Sequence, residues 1–191
     1  MKKIILASQS PRRKQLLTDA GYEFDIIVSD ADENISAPDG EMLVKELALL
    51  KACDVAKNIN YDAYVIGADT VVCINGKVLG KPKNKRHASL MLKLLSGKAH
   101  QVYTGVCVFD VKSGTAISKC ERSDVVFDKL SNSQIKEYIE SGEPMDKAGA
   151  YAIQGEGNKF VKHYCGEFDN IIGLPIKTLK VILNEFESEL I

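Results

Sequence analysis

Short apolar runs alternate with amphipathic segments along the first half of the chain. Runs at 3–7, 23–28 and 63–68 have the length of strands and are bounded by polar residues. Helical spacing follows the first two runs, over 11–20 and 42–58, with Leu43, Leu47 and Leu50 predicted to form the buried stripe of the second helix. This alternation of strand and helix predicts an α/β fold.

The second half of the chain has the pattern of antiparallel pairing. An Asn-Gly pair at 75–76 joins two apolar runs, which is a strong hairpin signal. Segments 101–111 and 117–127 predict a longer hairpin. One helix is predicted from Asn84 or Lys85 through Leu90 to Leu95. Two more are predicted, one after the capping box of Ser131 and Gln134 and one beginning at Pro175. The glycine-rich stretch 143–173 is predicted as loops with short strands at 150–153 and 160–164. Together the patterns predict a mixed sheet covered by helices.

Length and charge limit what the chain can bind. Its 191 residues suit one domain, or two small lobes that share a core, and 25 basic against 26 acidic residues leave a net charge of -1. No overall field therefore attracts nucleic acid or an anionic membrane, and an anionic ligand must be bound by local clusters of charge. No apolar run approaches the ~18 residues of a membrane span. Five cysteines without a C-x-x-C pair predict a reducing, cytoplasmic location.

The first candidate site follows the first predicted strand. Ser8 and Ser10 stand before two arginines, Arg12 and Arg13, at the start of a helix. A helix N-terminus offers unpaired N–H groups and the positive end of a dipole, which favours an anion. An ordinary capped helix with solvated arginines explains the same residues, so both interpretations stay open at this point.

Three further segments carry polar groups after apolar runs. Asp69 and Thr70 follow the run at 63–68, where a rigidly supported carboxylate could serve as a metal ligand or a general base, although a turn aspartate is the alternative. Lys81 opens a basic segment that lacks the spacing of a P-loop. Gln154 lies in a glycine-rich segment, either as a ligand contact or as a surface residue. Separated carboxylates and cations are what hydrolysis of a nucleotide phosphoanhydride requires.

Taken together and in order, these motifs resemble the Maf family of nucleoside triphosphate pyrophosphatases. The resemblance covers nearly the whole chain and implies an α/β fold with a mixed twisted sheet, flanking helices and a central cleft, similar to inosine triphosphatases. It also implies a homodimer. The matching segments are Ser8-Gln9-Ser10-Pro11-Arg12-Arg13, Gly67-Ala68-Asp69-Thr70, Gly80-Lys81-Pro82, Ser96-Gly97 with His100, Val102, Thr104 and Gly105, Ala148-Gly149-Ala150-Tyr151-Ala152-Ile153-Gln154-Gly155, and Gly173-Leu174-Pro175.

The resemblance implies roles for individual residues. Asp69 matches the general base for attack of water on the α-phosphorus, with a divalent cation, Mg²⁺ or Mn²⁺, as cofactor. Glu33 matches a second acidic position and is the expected metal ligand beside Asp69, with Asp30 and Asp32 as neighbouring alternatives. The positions expected to hold the triphosphate are Ser8, Arg13, Lys51 and Lys81.

Selectivity positions of the family correspond to Arg12, Thr70 and Gln154. This set resembles the branch that acts on dTTP and UTP, for which modified pyrimidine nucleotides are further candidate substrates. A branch that acts on 7-methyl-GTP tends to carry tryptophan in the first motif, and this chain has none. A nucleotide-binding regulator of cell division without turnover is the alternative from another class. The intact Asp69 beside intact cationic segments favours the enzyme.

Overall fold

The computed structural model describes residues 2–188 and contains a seven-stranded mixed sheet with helices. The strands are β1 (Lys3–Leu6), β2 (Asp25–Ile26), β3 (Ala63–Ile74), β4 (Lys77–Leu79), β5 (Ala99–Asp110), β6 (Thr115–Phe127) and β7 (Val161–Cys165). The helices are α1 (Pro11–Asp19), α2 (Gly40–Ala56), α3 (Lys85–Leu95), α4 (Asn132–Glu140), α5 (Phe168–Ile172) and α6 (Ile176–Ser188). Three short 3-10 helices lie at Glu143–Asp146, Ala148–Ala150 and Glu156–Phe160.

Strand order in the sheet is β2-β1-β3-β5-β6-β7, and β4 pairs with β3. The pairs β1–β2 and β1–β3 are parallel, whereas β3–β4 and β6–β7 are antiparallel. The predicted mixed sheet with flanking helices is therefore confirmed. No helix within residues 2–188 is long and apolar enough to span a membrane.

Side-chain caps fix where several helices begin. Ser10 caps α1, followed by a proline in the first turn, and the Asn84 side chain accepts a hydrogen bond from the backbone N–H of His87 at the start of α3. The predicted capping box of Ser131 and Gln134 is present at α4. Each cap satisfies an N–H group that has no partner within its helix. Because the capping residue lies at the helix start itself, these starts could be predicted from the sequence.

The chain divides into two compact units. The first contains the residues up to Asp69, Thr104–Glu121 and the residues from Gly173, and the second contains Thr70–Tyr103 and Arg122–Ile172. In the first unit β1 is buried on both faces, because Ile4 and Leu6 belong to a cluster that includes α6 residues, while Ile5 packs with α2 residues. The core of the second unit includes ring contacts among His100, Phe127, Tyr138, Tyr151 and Phe160. The predicted cleft stays a prediction.

Two glycines bring the backbone of α2 directly against the sheet. A Cβ atom at Gly67 in β3 would lie 2.1 Å from the carbonyl oxygen of Ala48, and one at Gly105 in β5 would lie 2.2 Å from that of Val44. Both distances are far below van der Waals contact, and the atoms met are backbone atoms that cannot rotate away. The absence of a side chain at these two positions therefore sets the distance between helix and sheet.

Several predicted details were wrong. Asp69 and Thr70 do not follow a strand but lie inside β3, which continues from the predicted strand into the first arm of the hairpin. The predicted strand at 150–153 is absent because Gly149 and Ala150 adopt left-handed backbone conformations, with φ of 67° and 60°, which end extended structure. The strand predicted at 23–28 is reduced to the two residues of β2.

The buried stripe predicted for α2 is confirmed only at Leu47. Val44 and Ala48 are buried on α2 together with the predicted Leu47, whereas Leu43 and Leu50 are only partly buried. The close approach to Gly67 and Gly105 favours small residues, here Val44 and Ala48, at the positions where α2 meets the sheet. On α3 the exposed fraction of Leu90 is 59%, and the buried face is formed by Ala88, Met91, Leu92 and Leu95.

We predict that Gly67→Ala destabilises the protein by about 1–3 kcal/mol, because the new methyl group collides with the backbone of α2. Gly80→Ala is the matched control, since a Cβ there meets no heavy atom within 4 Å and should change stability by less than about 0.5 kcal/mol. Urea unfolding of both variants measures the difference. Equal midpoints for the two would show that α2 does not depend on a glycine at 67.

Candidate active site

A buried lysine holds two carboxylates in the first unit. The Lys51 ammonium lies 2.6 Å from an Asp69 oxygen and 3.2 Å from a Glu33 oxygen. The side chains of Lys51 and Asp69 are only 11% and 14% exposed, whereas that of Glu33 is 57% exposed. Charge-assisted hydrogen bonds of this kind fix the orientation of the groups that they join. Asp69 and Glu33 are thus held near each other by one common donor.

The glycine contact explains why Lys51 reaches Asp69. Side chains alternate between the two faces of a strand, so Gly67 and Asp69 share the face of β3 that α2 covers. Lys51 follows Ala48 on α2 by three residues and therefore lies about one turn further along the same helix face. A wider separation of helix and sheet would remove the Lys51–Asp69 hydrogen bond.

The first motif forms a second rigid group. The Arg13 guanidinium donates to the carbonyl oxygen of Gly173 at 2.8 Å and to the Ser8 hydroxyl at 3.2 Å. The Ser8 hydroxyl also accepts the backbone N–H of Ser10 at 3.2 Å. These contacts join the loop after β1, the start of α1 and the chain before α6. The resemblance to the Maf family had included the segment at 173–175 without indicating this link to Arg13.

Electrostatic proximity joins the two groups. Burial lowers the pKa of Arg13, and the nearby Asp69 and Glu33 carboxylates act in the opposite direction, while Arg12 adds to the lowering. An arginine stays protonated in spite of such effects, because its ordinary pKa is above 12. The predicted residues Ser8, Arg12, Arg13, Glu33, Lys51 and Asp69 all belong to the first unit.

Glu33 is favoured over its two acidic neighbours by its contact with Lys51. Asp32 instead accepts the backbone N–H of Asn34 at 3.1 Å, and the backbone N–H of Asp30 donates to Asp54 at 3.0 Å. These local hydrogen bonds shape the loop between β2 and α2. Among the three carboxylates proposed from the sequence, Glu33 is thus the one that the structure pairs with the Lys51–Asp69 group.

The acidic pair has the chemistry that a magnesium or manganese ion requires. Carboxylate oxygens are preferred ligands for both ions, and Mg²⁺ is commonly held by one or two carboxylates together with water and substrate phosphates. Glu33 and Asp69 both contact one nitrogen atom, so their oxygens are separated by no more than the sum of those two distances. Residues 2–188 contain no group of three or more His, Cys, Asp or Glu side chains that could hold a metal on its own. The pair therefore fits an ion that also takes ligands from the substrate.

The second unit holds Thr70, Lys81 and Gln154. Thr70 follows Asp69 in β3, and Lys81 is exposed in the loop between β4 and α3. The backbone N–H of Gly149 donates to the carbonyl oxygen of Gly80 at 3.1 Å, which ties the lysine loop to the glycine-rich segment. A Cβ at Gly149 would lie 2.8 Å from the Val72 side chain, so this position also needs a glycine.

Buried polar residues surround the segment that carries Gln154. Gln154 is exposed between the buried Tyr151 and Gly157, and the Tyr151 hydroxyl lies 2.9 Å from a ring nitrogen of the fully buried His100. Burial lowers the pKa of His100 to about 4, so its imidazole is neutral at pH 7. The contact with Tyr151 gives His100 a structural role in the core of the second unit.

Sequence reasoning did not identify Tyr138 or Glu143. The Tyr138 hydroxyl donates to the Glu143 carboxylate at 2.8 Å, and both residues hydrogen bond to the backbone of the Gln154 segment. No spacing rule links a helix residue to a carboxylate five positions later and to a loop beyond it. The glycines at 155 and 157 were the one available signal, because they leave room for these side chains.

Structural comparison shows the fold. The chain superposes on the Ham1 protein of Staphylococcus aureus with a TM-score of 0.55 and 15% identity, over 96% of this chain and 99% of that one. A HAM1 protein from Coxiella burnetii gives a TM-score of 0.54 and 15% identity, over 97% and 100% of the two chains. At such identity the likeness concerns architecture alone.

Sequence comparison identifies the family. The chain is 48% identical over 190 residues to a protein of Bacillus anthracis named dTTP/UTP pyrophosphatase, which covers 99% of this chain and 98% of that protein. A protein of the same name from Clostridium novyi is 48% identical over 185 residues, 96% of this chain and 97% of the relative. The profile of the family described as Maf-like protein matches residues 3–186. This chain belongs to the Maf family.

Proposed function

We propose that this protein hydrolyses dTTP and UTP to the nucleoside monophosphate and pyrophosphate. The observation that carries the proposal is the pairing of Asp69 and Glu33 through Lys51, with Arg13 and Ser8 in the same unit. The names of relatives that are 48% identical over nearly the whole chain support the choice of substrates. Turnover on modified pyrimidine nucleotides is part of the same proposal.

Asp69 acts as the general base. Its carboxylate accepts a proton from a water molecule, the oxygen of that water bonds to the α-phosphorus, and the bond from that phosphorus to the α–β bridging oxygen breaks. The pyrophosphate leaves with the bridging oxygen. The 2.6 Å contact with Lys51 orients the carboxylate for this step, because one of its oxygens is held by the ammonium.

A divalent cation, Mg²⁺ or Mn²⁺, is proposed to be held by Glu33 and Asp69. When bound, it would neutralise negative charge on the phosphates and on the leaving pyrophosphate. The cationic side chains contribute to the same neutralisation through direct contacts. Arg13 is pre-oriented by Gly173 and Ser8, so its guanidinium loses little side-chain freedom when a phosphate binds. Ser8, Lys51 and Lys81 are the further proposed phosphate-binding groups.

Selection of the nucleobase is assigned to Arg12, Thr70 and Gln154. A side-chain amide both donates and accepts hydrogen bonds, as the edge of a uracil or thymine ring requires. We also propose a cytoplasmic location, supported by five free cysteines, and a homodimer, supported by the family resemblance alone.

Replacement of the proposed base should abolish most turnover without loss of binding. We expect Asp69→Asn to lower kcat for UTP by about 10²–10⁴, because the amide keeps the shape but does not accept the proton. Asp19→Asn, which removes an exposed carboxylate from α1, should leave kcat unchanged. Pyrophosphate release and equilibrium binding of UTP measure the two effects. Near-normal turnover in Asp69→Asn would refute the assignment of Asp69 as the general base.

Removal of divalent cations should stop the reaction. We expect pyrophosphate release to cease in EDTA and to return when Mg²⁺ or Mn²⁺ is added in excess. Glu33→Gln should raise the Mg²⁺ concentration for half-maximal activity at least about tenfold, whereas Asp32→Asn should not. Full activity in EDTA would contradict the cofactor proposal, and equal effects of the two substitutions would contradict the assignment of Glu33.

The proposed hydrogen bonding of Gln154 to the nucleobase gives a separate test. We expect Gln154→Ala to lower the preference for UTP over GTP by about 1–3 kcal/mol in kcat/KM, since one polar contact with the base is lost. Gln15→Ala on the exposed face of α1 is the control. A uniform loss on every triphosphate would make Gln154 a structural or phosphate-side residue. A wild-type preference for 7-methyl-GTP would overturn the pyrimidine assignment and leave the pyrophosphatase proposal in place. Binding of nucleotides without turnover would favour the alternative function, a nucleotide-binding regulator of cell division.

A further inference from the structure

A single carboxylate, that of Glu143, accepts hydrogen bonds from α4 and from the chain that follows Gln154. One oxygen of Glu143 accepts the Tyr138 hydroxyl at 2.8 Å and the backbone N–H of Gly157 at 3.3 Å. The other oxygen accepts the backbone N–H of Glu156 at 2.9 Å. Three donors from a helix and a loop thus converge on one side chain. Glu143 is the first residue of the 3-10 helix Glu143–Asp146.

The Tyr138 hydroxyl extends this arrangement to the other end of the segment. It donates to Glu143 and accepts the backbone N–H of Ala152 at 3.1 Å. Tyr138 itself is fully buried on α4, where its ring packs edge-to-face on Phe160 with centroids 5.0 Å apart. The residues that flank Gln154 on both sides are therefore attached to one fixed point in the core of the second unit.

Two glycines leave the space that these side chains occupy. A Cβ at Gly155 would lie 2.3 Å from an oxygen of Glu143, and one at Gly157 would lie 2.8 Å from the Tyr138 hydroxyl and 2.7 Å from the carbonyl oxygen of Ala152. The φ of Gly155 is -115°, a value that any residue can adopt, so the need for glycine there is one of space. The loop and the Tyr138–Glu143 pair thus fit one another closely.

The ionisation states suit the geometry. Burial raises the pKa of Glu143, but its N–H and hydroxyl donors outweigh that effect and hold the pKa below its ordinary value. Burial together with the neighbouring carboxylate raises the pKa of Tyr138, so its hydroxyl keeps the proton that it donates. At neutral pH the carboxylate is charged and all three of its donors carry hydrogen.

We propose that Tyr138 and Glu143 are positioning residues that fix the segment 152–157 and thereby set the selectivity of Gln154 for the nucleobase. The inference rests on the proposed function, in which Gln154 contacts the base. An amide discriminates between bases only if its oxygen and nitrogen stand in the right places, because its two ends have opposite hydrogen-bonding character. A loop held at both ends before substrate arrives loses little freedom on binding.

Three substitutions break the arrangement in different ways. Tyr138→Phe removes the hydroxyl and keeps the ring, and Glu143→Gln replaces an accepting oxygen by an NH₂ group that faces another donor. Gly155→Ala removes no polar group but displaces the Glu143 carboxylate by steric contact. Tyr64→Phe, a buried tyrosine of the first unit, and Glu137→Gln, an exposed residue of α4, are the matched controls.

Hydrogen exchange tests the positioning directly and needs no substrate. In wild type, the amides of Ala152, Glu156 and Gly157 should be protected, since each donates to Tyr138 or Glu143. We expect exchange over 152–157 to be about tenfold faster in the three variants and unchanged in the two controls. Exchange in α3 serves as the internal reference and should not change. Equal protection of 152–157 in all proteins would overturn the proposal.

Selectivity is then measured as the ratio of kcat/KM for UTP to that for GTP, with inorganic triphosphate as a probe that has no base. We expect the three variants to lower the ratio about tenfold and to leave hydrolysis of inorganic triphosphate within about twofold of wild type. A structural defect of the whole protein would reduce all three activities together. That outcome, or faster exchange with an unchanged ratio, would overturn the selectivity role.

Failure of the proposed function gives a different result. If the wild type hydrolysed neither UTP nor GTP, or if Gln154→Ala left the ratio unchanged, the assignment of Gln154 would be wrong and the selectivity role of Tyr138 and Glu143 would be refuted with it. Exchange over 152–157 would still show whether the two residues order the segment. The two kinds of failure are therefore distinguishable.

Discussion

The contact between the backbone of α2 and the sheet is the constraint on which the first unit depends. Gly67 and Gly105 remove the side chains that would separate helix from strand, and the carbonyl groups of Val44 and Ala48 occupy the space. Core packing is close to crystalline density, so a helix seated in this way has one position rather than a range of positions. Lys51 is brought to Asp69 by that position. The geometry of the candidate site is thus set by atoms that take no part in its chemistry.

Each unit uses one buried or half-buried charged group to orient the residues around it. In the first unit the Lys51 ammonium joins two carboxylates, and in the second the Glu143 carboxylate joins two backbone N–H groups and a hydroxyl. An unpaired charge in such surroundings would be costly, so the partners are needed for stability as well as for orientation. Local precision is obtained in both units without a disulfide, since all five cysteines are free.

Much of the fold could be predicted from the sequence because its signals are local. Ser10, Asn84 and the Ser131–Gln134 capping box act within one helical turn, and the Asn-Gly hairpin acts within a few residues. The failures depend on distant contacts. Asp69 was predicted in a loop because its charge ends the apolar run at 63–68, whereas β3 continues through Asp69 to Ile74. The strand predicted at 150–153 failed because two left-handed residues, Gly149 and Ala150, turn the chain there.

In the candidate site, too, local features could be predicted and distant contacts could not. The charged and amide residues were identified from motifs, since residue type and order are visible in a sequence. Their arrangement was not, because the Lys51–Asp69–Glu33 contact depends on the spacing of α2 and β3, and the contact of Arg13 with Gly173 joins positions 160 residues apart. Tyr138 and Glu143 had no motif of their own to identify them.

The hydrogen bonds through the Tyr138 hydroxyl all point the same way. The Ala152 N–H donates to the hydroxyl, and the hydroxyl donates to the Glu143 carboxylate, so each dipole is aligned toward the negative charge. Hydrogen bonds in such a chain polarise one another, and each is stronger because the next is formed. The free energy of this arrangement is therefore cooperative and cannot be divided into a share for Tyr138 and a share for Glu143.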